Sequence, residues 1–129
     1  MLKKMQQSAH KKYMYWFLRP VSAEDAPGYA AMISRPVNHE AMGARLERGE
    51  YETFGAFAAD VRLMWTNALR FNSPMRDKHP TNPKYVPRLV CEAAERMAPI
   101  ADEWLEEAAV DVAARAGRET LERLSLIHI

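Results

Sequence analysis

The sequence predicts an all-α protein, a four-helix bundle with two long loops, and three observations carry that prediction. In the stretch Tyr51 to Asn72, YETFGAFAADVRLMWTNALRFN, residues Phe54, Phe57, Val61, Met64, Trp65, Ala68 and Phe71 recur at intervals of three and four, which gives a helix one continuous buried face. The same rhythm runs through Leu2 to Leu18 and from Leu89 to Trp104. Between these segments lie Ser22 to Val37 and Ser73 to Lys84, where proline and glycine interrupt any period.

Leu2, Met5, Ala9, Tyr13, Trp16 and Phe17 mark the face of a first helix, Leu2 to Leu18, which Arg19-Pro20-Val21 ends. The loop that follows contains Pro27, Gly28 and Pro36 and has room for about one helical turn, near Tyr29 to Ser34. Loops of this length inside a compact domain are uncommon and often functional, which draws attention to Tyr29. A second helix is expected over His39 to Arg48. Asn38 can cap it, Glu40 sits in its first turn, Met42 and Leu46 face inward, and Gly49 can take the left-handed position after it. The third helix is Tyr51 to Asn72, capped by Thr53 and stopped by Ser73-Pro74. Pro87 suits the first turn of the fourth, whose face is Leu89, Val90, Ala93, Met97, Ile100 and Trp104. Pro99 lies inside it. A proline there removes a backbone bond and clashes with the carbonyl of Glu95, at about 3 kcal/mol, so a kink is expected between Glu95 and Pro99.

The chain has 129 residues and 48% hydrophobic content, enough for one domain with a modest core. We place that domain at 1–116 and expect a frayed polar tail over 117–123. The last six residues, LSLIHI, correspond to a frame translation of a common transposase sequencing adaptor. Leu124 to Ile129 are therefore expected to be an assembly artefact, which an independent read of the transcript that retains them would refute. With 18 basic and 17 acidic residues the net charge is +1, which offers no large field for gripping nucleic acid or an anionic membrane. No apolar run approaches the roughly 20 residues needed to span a bilayer, and the Lys-rich start has no signal-peptide core, so a soluble intracellular protein is expected. Cys91 is the single cysteine and falls on an apolar helical face as a small buried hydrophobe, consistent with a reducing compartment.

Asn72 lies eighteen residues after Phe54, five whole turns at about 3.6 residues per turn, so its amide points the same way as the apolar stripe. A core-facing amide at the last turn before a loop sits at the mouth of a bundle, where a ligand can enter. Four ordered segments around it resemble the bromodomain, the acetyl-lysine reader. FLRPV at Phe17 to Val21 is similar to the family's F-x-x-P-V, and PGYAAMISRPV at Pro27 to Val37 to its P-D-Y-Y-x-x-I-x-x-P-M. LERGEY at Leu46 to Tyr51 and FAADVRLMWTNALRFN at Phe57 to Asn72 match the remaining two. The resemblance covers about residues 10–105 and rests on four weak pieces in the right order and spacing.

The resemblance implies a left-handed four-helix bundle, with helices named Z, A, B and C, whose ZA and BC loops form a pocket at one end. It makes Asn72 the donor to the acetyl carbonyl, Tyr29 the residue that reaches the same oxygen through a water, Val21 the aliphatic wall and Phe17 the floor. Phe71 stands where tyrosine is usual, and Tyr15 and Trp16 take the place of the aromatic shelf. The gatekeeper falls among Tyr85, Val86 and Pro87, with Val86 favoured. The implied role is a non-catalytic nuclear reader in chromatin regulation, a monomeric domain binding acetylated histone or other peptides. It needs no cofactor or metal, and neither sequence-specific nucleic acid binding nor membrane binding is expected. The chemistry is consistent: free lysine is a hydrated cation, costly to bury alone, whereas its acetylated form is a neutral amide on an apolar stem. No carboxylate among the expected pocket residues offers to pair an ammonium.

Departures from the family pattern favour a competing reading, a bromodomain-like bundle that serves as a structural or interaction domain without acetyl-lysine binding. Gly28 replaces the usual Asp, Ala30 the usual second Tyr, the leucines of the first loop lack counterparts, and the loop after Asn72 is long. Asn72 could simply cap its helix, and Tyr29 could be a core tyrosine. Asn67 is expected to tie loop backbone, and Asp60 to cap or pair at the surface. His10, His39, His79 and His128 have no ligand spacing to one another or to Cys91, and Glu103, Glu106 and Glu107 read as a solvated face, so neither a metal site nor an enzyme is indicated.

Overall fold

The structure, a computed structural model, describes residues 1–127, with side chains described through Leu124. The last two residues of the suspected adaptor segment, including His128, lie outside the described residues. Helices α1 (Leu2–Met5), α2 (Lys11–Met14), α3 (Tyr29–Met32), α4 (His39–Glu47), α5 (Phe54–Asn72) and α6 (Pro87–Ile127) follow one another along the chain, with single 3-10 turns at Ser8–His10 and Ser73–Met75. No strand occurs among the described residues.

The local signals act as their chemistry requires. The Asn38 side chain accepts from the Ala41 amide at 2.9 Å, and Thr53 accepts from the Ala56 amide at 3.0 Å, so both helices begin at a capped residue. Gly49 closes α4 with φ 67° and Gly28 precedes α3 with φ 86°, conformations that a Cβ disfavours. Helices α5 and α6 form the main pair of the bundle, and α2 packs against α6. Their buried faces, Val61, Met64, Trp65 and Ala68 from α5 and Val90, Ala94, Met97, Ala101 and Leu105 from α6, make one core with Met5, Met14, Phe17 and Met42. Cys91 is buried, and burial pushes its thiol pKa upward.

Two expectations give way. The first helix is not continuous: Gln7 is extended, with φ −62° and ψ 151°, and breaks it into α1, a 3-10 turn and α2. The break lets the first turn dock on α4, where the Leu2 carbonyl lies 2.9 Å from His39 Nε2 and Met5 is fully buried. The end of this segment is then held by the free amides that open α4, since His39 N–H donates to the Phe17 carbonyl at 2.8 Å and Glu40 N–H to Leu18 at 3.0 Å. The fourth helix, in contrast, is longer than expected. It runs through Pro99 as a single element and past Gly117 to Ile127, because Pro99 is on the exposed face, where the freed carbonyl can turn to water, and the Ala, Glu, Arg and Leu beyond it are strong helix formers.

Asp60 corrects a third expectation. Its carboxylate is not at the surface but 2% exposed, and three chain segments converge on it. Arg35 Nη2 donates to Oδ1 at 2.6 Å, Arg45 Nη1 to Oδ2 at 2.7 Å, and the Tyr51 hydroxyl to Oδ2 at 2.7 Å. Two turns further along α5, Asn67 Nδ2 donates to the Arg35 carbonyl at 2.8 Å, so α5 holds both the side chain and the backbone at the end of the first loop. Both arginines keep contact with water, whereas Asp60 does not. Removing the carboxylate therefore costs less than stranding it. Asp60→Ala is expected to lower unfolding free energy by about 2 kcal/mol, and Arg35→Ala with Arg45→Ala together by about 3–5 kcal/mol. Denaturant midpoints at constant m-value measure both, and a double variant no worse than Asp60→Ala would refute the ordering.

Candidate functional site

Three elements bring the candidate residues to one end of the bundle. The last turn of α5 presents Phe71 and Asn72, the first loop brings Val21, Ala26, Tyr29 and Ile33, and the second brings Met75 and Tyr85. Ala26, Ile33 and Phe71 are buried together, separate from the main core, with Val21, Tyr29, Met75 and Tyr85 packed around them. Tyr29 meets Phe71 edge-on at 5.1 Å between ring centroids. The loops are tied by Asn82 Nδ2 donating to Asp25 Oδ1 at 3.0 Å, while the Ser22 hydroxyl accepts from the Asp25 amide at 3.1 Å.

Asn72 has no exposed surface. Its backbone is right-handed helical, so it is not a left-handed helix cap, and its Nδ2 donates to the Ala68 carbonyl at 2.8 Å. An amide carries two N–H donors, so one is left, and its Oδ1 has no partner among the described residues. A buried acceptor without a donor costs about 1–3 kcal/mol.

Two cavities flank this cluster. The larger, about 440 Å³, is lined by Tyr15, Trp16, Leu18, Arg19, Pro20, Val21, Ser22, Asp25, Lys84 and Tyr85. The smaller, about 320 Å³, includes Asp25, Ala26, Phe71, Met75, Lys78, Asn82, Tyr85 and Pro87 in its wall. Asp25 and Tyr85 line both, and Asn72 lines neither. Tyr85 thus stands between the openings, edge-on to Trp16 at 5.8 Å, and Trp16 in turn meets the exposed ring of Tyr15 at 5.0 Å. Burial pushes the Tyr85 pKa up to about 12, against the opposing effect of the neighbouring Asn72 amide, and burial raises Tyr29 as well.

The structure therefore gathers Asn72, Tyr29, Phe71, Val21 and Tyr85, with Tyr15 and Trp16 as a ledge beside them. Phe17 is elsewhere, edge-on to Trp65 at 4.9 Å in the main core, and lines neither cavity. Among Tyr85, Val86 and Pro87 it is Tyr85 that lines both cavities. Val86 lines neither cavity and instead starts α6, its carbonyl accepting from the amides of Leu89 and Val90. Pro87 contributes to the smaller cavity only. Sequence reasoning missed Asp25, a carboxylate at the mouth. Ser22 three residues before it is a legible turn signal, but its pairing with Asn82, fifty-seven residues on, has no local trace.

A sequence model of the bromodomain family matches residues 1–81. The chain belongs to the bromodomain family. It is 38% identical over 61 residues to the mouse bromodomain adjacent to zinc finger domain protein 2B, an alignment covering 47% of this chain and 3% of that protein. The second bromodomain of Candida albicans Bdf1, solved bound to an imidazopyridine, superposes with a TM-score of 0.61 at 24% identity, over 79% of this chain and 87% of that one. The human BAZ1A bromodomain gives 0.59 at 18% identity, over 87% of each chain. Both likenesses establish the fold, a left-handed four-helix bundle. Bromodomains as a family are non-catalytic modules that read acetyl-lysine in chromatin proteins, and by membership of that family this domain is a non-catalytic module. The curated relatives are far longer than the part matched, about a tenth of a Schizosaccharomyces pombe bromodomain-containing protein and less of the mouse one.

Tyr85 and Tyr51 make the bromodomain sensitive to alkali. Burial and, for Tyr51, the hydrogen bond to Asp60 raise both phenols to about 12 from the ordinary 10.0, so folding favours the neutral form. Their stabilisation is complete below pH 10 and is lost as pH rises through 12. Ultraviolet phenolate titration should show three late tyrosines, Tyr29, Tyr51 and Tyr85, one of which disappears in Tyr85→Phe; titration of all five together near pH 10 would contradict it.

Proposed function

We propose that this bromodomain binds acetylated lysine in histone tails or other nuclear proteins, as a monomeric module of chromatin regulation in the nucleus, with no cofactor and no part in sequence-specific DNA recognition. The observation that carries the reading is Asn72. A fully buried amide with an orphan Oδ1, whose second N–H has only the Tyr85 hydroxyl beside it, complements an acetamide, which offers a carbonyl to accept and an N–H to donate. Val21, Phe71 and Tyr85 give the apolar surroundings for the lysine stem, and Tyr29 faces the same cluster for a water-bridged contact. The two cavities carry Arg19, Lys84 and Lys78 against the single carboxylate of Asp25, so a free ammonium meets net positive charge there.

Tyr85 is the gatekeeper in this reading. Because Asn72 reaches neither cavity, its ring must yield before a side chain arrives. The same closure favours the second reading, an interaction bundle whose pocket never opens, and binding separates the two.

Titrating matched acetylated and unacetylated peptides should show binding to the acetylated set alone. Asn72→Ala should weaken it by roughly tenfold to a hundredfold, the loss of a hydrogen bond worth about 1–3 kcal/mol, with helicity unchanged and the domain still folded at the assay temperature. Tyr85→Ala should speed association. Absence of acetyl-dependent binding across a broad panel, in wild type and Tyr85→Ala alike, would establish the second reading.

A further inference from the structure

We infer that Arg19 and Lys84 make the larger cavity a selector for an acidic residue close to the acetyl-lysine, an inference that rests on the reading of Asn72 above. The cavity is a groove with an aromatic ledge, Tyr15 and Trp16, an apolar base at Leu18 and Val21, and a cation from each of the two loop-bearing segments. Both cations are exposed, and neither forms a salt bridge among the described residues, although most other arginines near the site are paired: Arg76 with Glu95, and Arg88 with Asp77. Lys78, also unpaired among the described residues, occupies the rim of the smaller cavity.

Against these three cations the two cavities hold one carboxylate, Asp25, whose Oδ1 is turned to Asn82. The chain as a whole carries a net charge of only +1, so the excess is local to the rim. The groove shares Val21 and Tyr85 with the acetyl-lysine cluster, so a peptide leaving the pocket enters it directly. An extended chain advances about 3.3 Å per residue, so the residues immediately flanking the acetyl-lysine are the ones the adjoining groove meets first. Long stretches of lysine and arginine are disfavoured by the same cations. The fitting partner is an acetylated segment with aspartate or glutamate beside the modified lysine, rather than a uniformly basic tail.

The test is a peptide panel with acidic, neutral or basic residues at one to three positions on either side of lysine, each acetylated and unacetylated. Two exposed ion pairs support a preference of about three- to tenfold for acidic over neutral acetylated peptides, shrinking as salt is added. The double variant Arg19→Glu with Lys84→Glu should invert it toward basic flanks. Acetyl-dependent binding indifferent to flanking charge would overturn the groove and leave the reader intact. Charge preference without acetyl dependence would support the groove and overturn the reader. No binding by any peptide, or an unchanged preference in the folded double variant, would overturn the groove.

Discussion

A buried carboxylate organises this domain. Asp60 lies on the inner side of α5, and a charge so placed is tolerable only if donors surround it. Its donors come from the end of the first loop, from α4 and from the segment that precedes α5, so satisfying one side chain fixes how three stretches of chain meet a fourth. The Arg45 guanidinium also lies 4.5 Å from the centre of the Tyr51 ring, which locks the two donors to each other. Asn67 completes the arrangement by holding the Arg35 carbonyl. The first loop cannot be anchored by a core of its own, because only Ala26 and Ile33 are buried within it, so its far end depends on these polar contacts.

The site inherits its geometry from that anchorage. With the loop fixed at Arg35 and again at Asp25, its middle section, Ala26 to Ile33, packs on Phe71 in the last turn of α5. The result is an amide with unspent hydrogen-bonding capacity sealed behind the Tyr85 ring. Polar capacity held in a dry place is costly unless something repays it. The loops around it, rather than the helices beneath, carry the charge that would distinguish one peptide from another.

Much of this was legible in the sequence because it depends on neighbours a turn or less away. The caps at Asn38 and Thr53, the left-handed Gly49, Pro87 at the start of α6 and the buried face of α5 are all local choices, and Asn72 follows from counting turns along that face. Where the sequence misled, contacts between distant residues prevailed. The apolar period through Leu2 to Leu18 is real, but α4 offers Met5 and the Leu2 carbonyl a place only if the helix breaks at Gln7. Phe17 has the spacing of a pocket residue yet packs edge-on to Trp65 in the main core, and of Tyr85 and Val86 it is Tyr85 that lines the two cavities.

The sequence by itself determined the second and third helices, the start of the fourth, the buried face of α5 and the position of Asn72 at its end, since periodicity and capping act over a few residues, whereas Leu46 and Leu89, expected to face inward, are exposed. The tertiary structure alone decided that Asp60 is a buried hub, that Tyr85 lines both cavities, and that Asp25 is tied across the mouth to Asn82. Each of those outcomes joins residues separated by many positions along the chain. Loop closure leaves no period and no motif behind, so only the folded chain shows which of the available donors and rings meet.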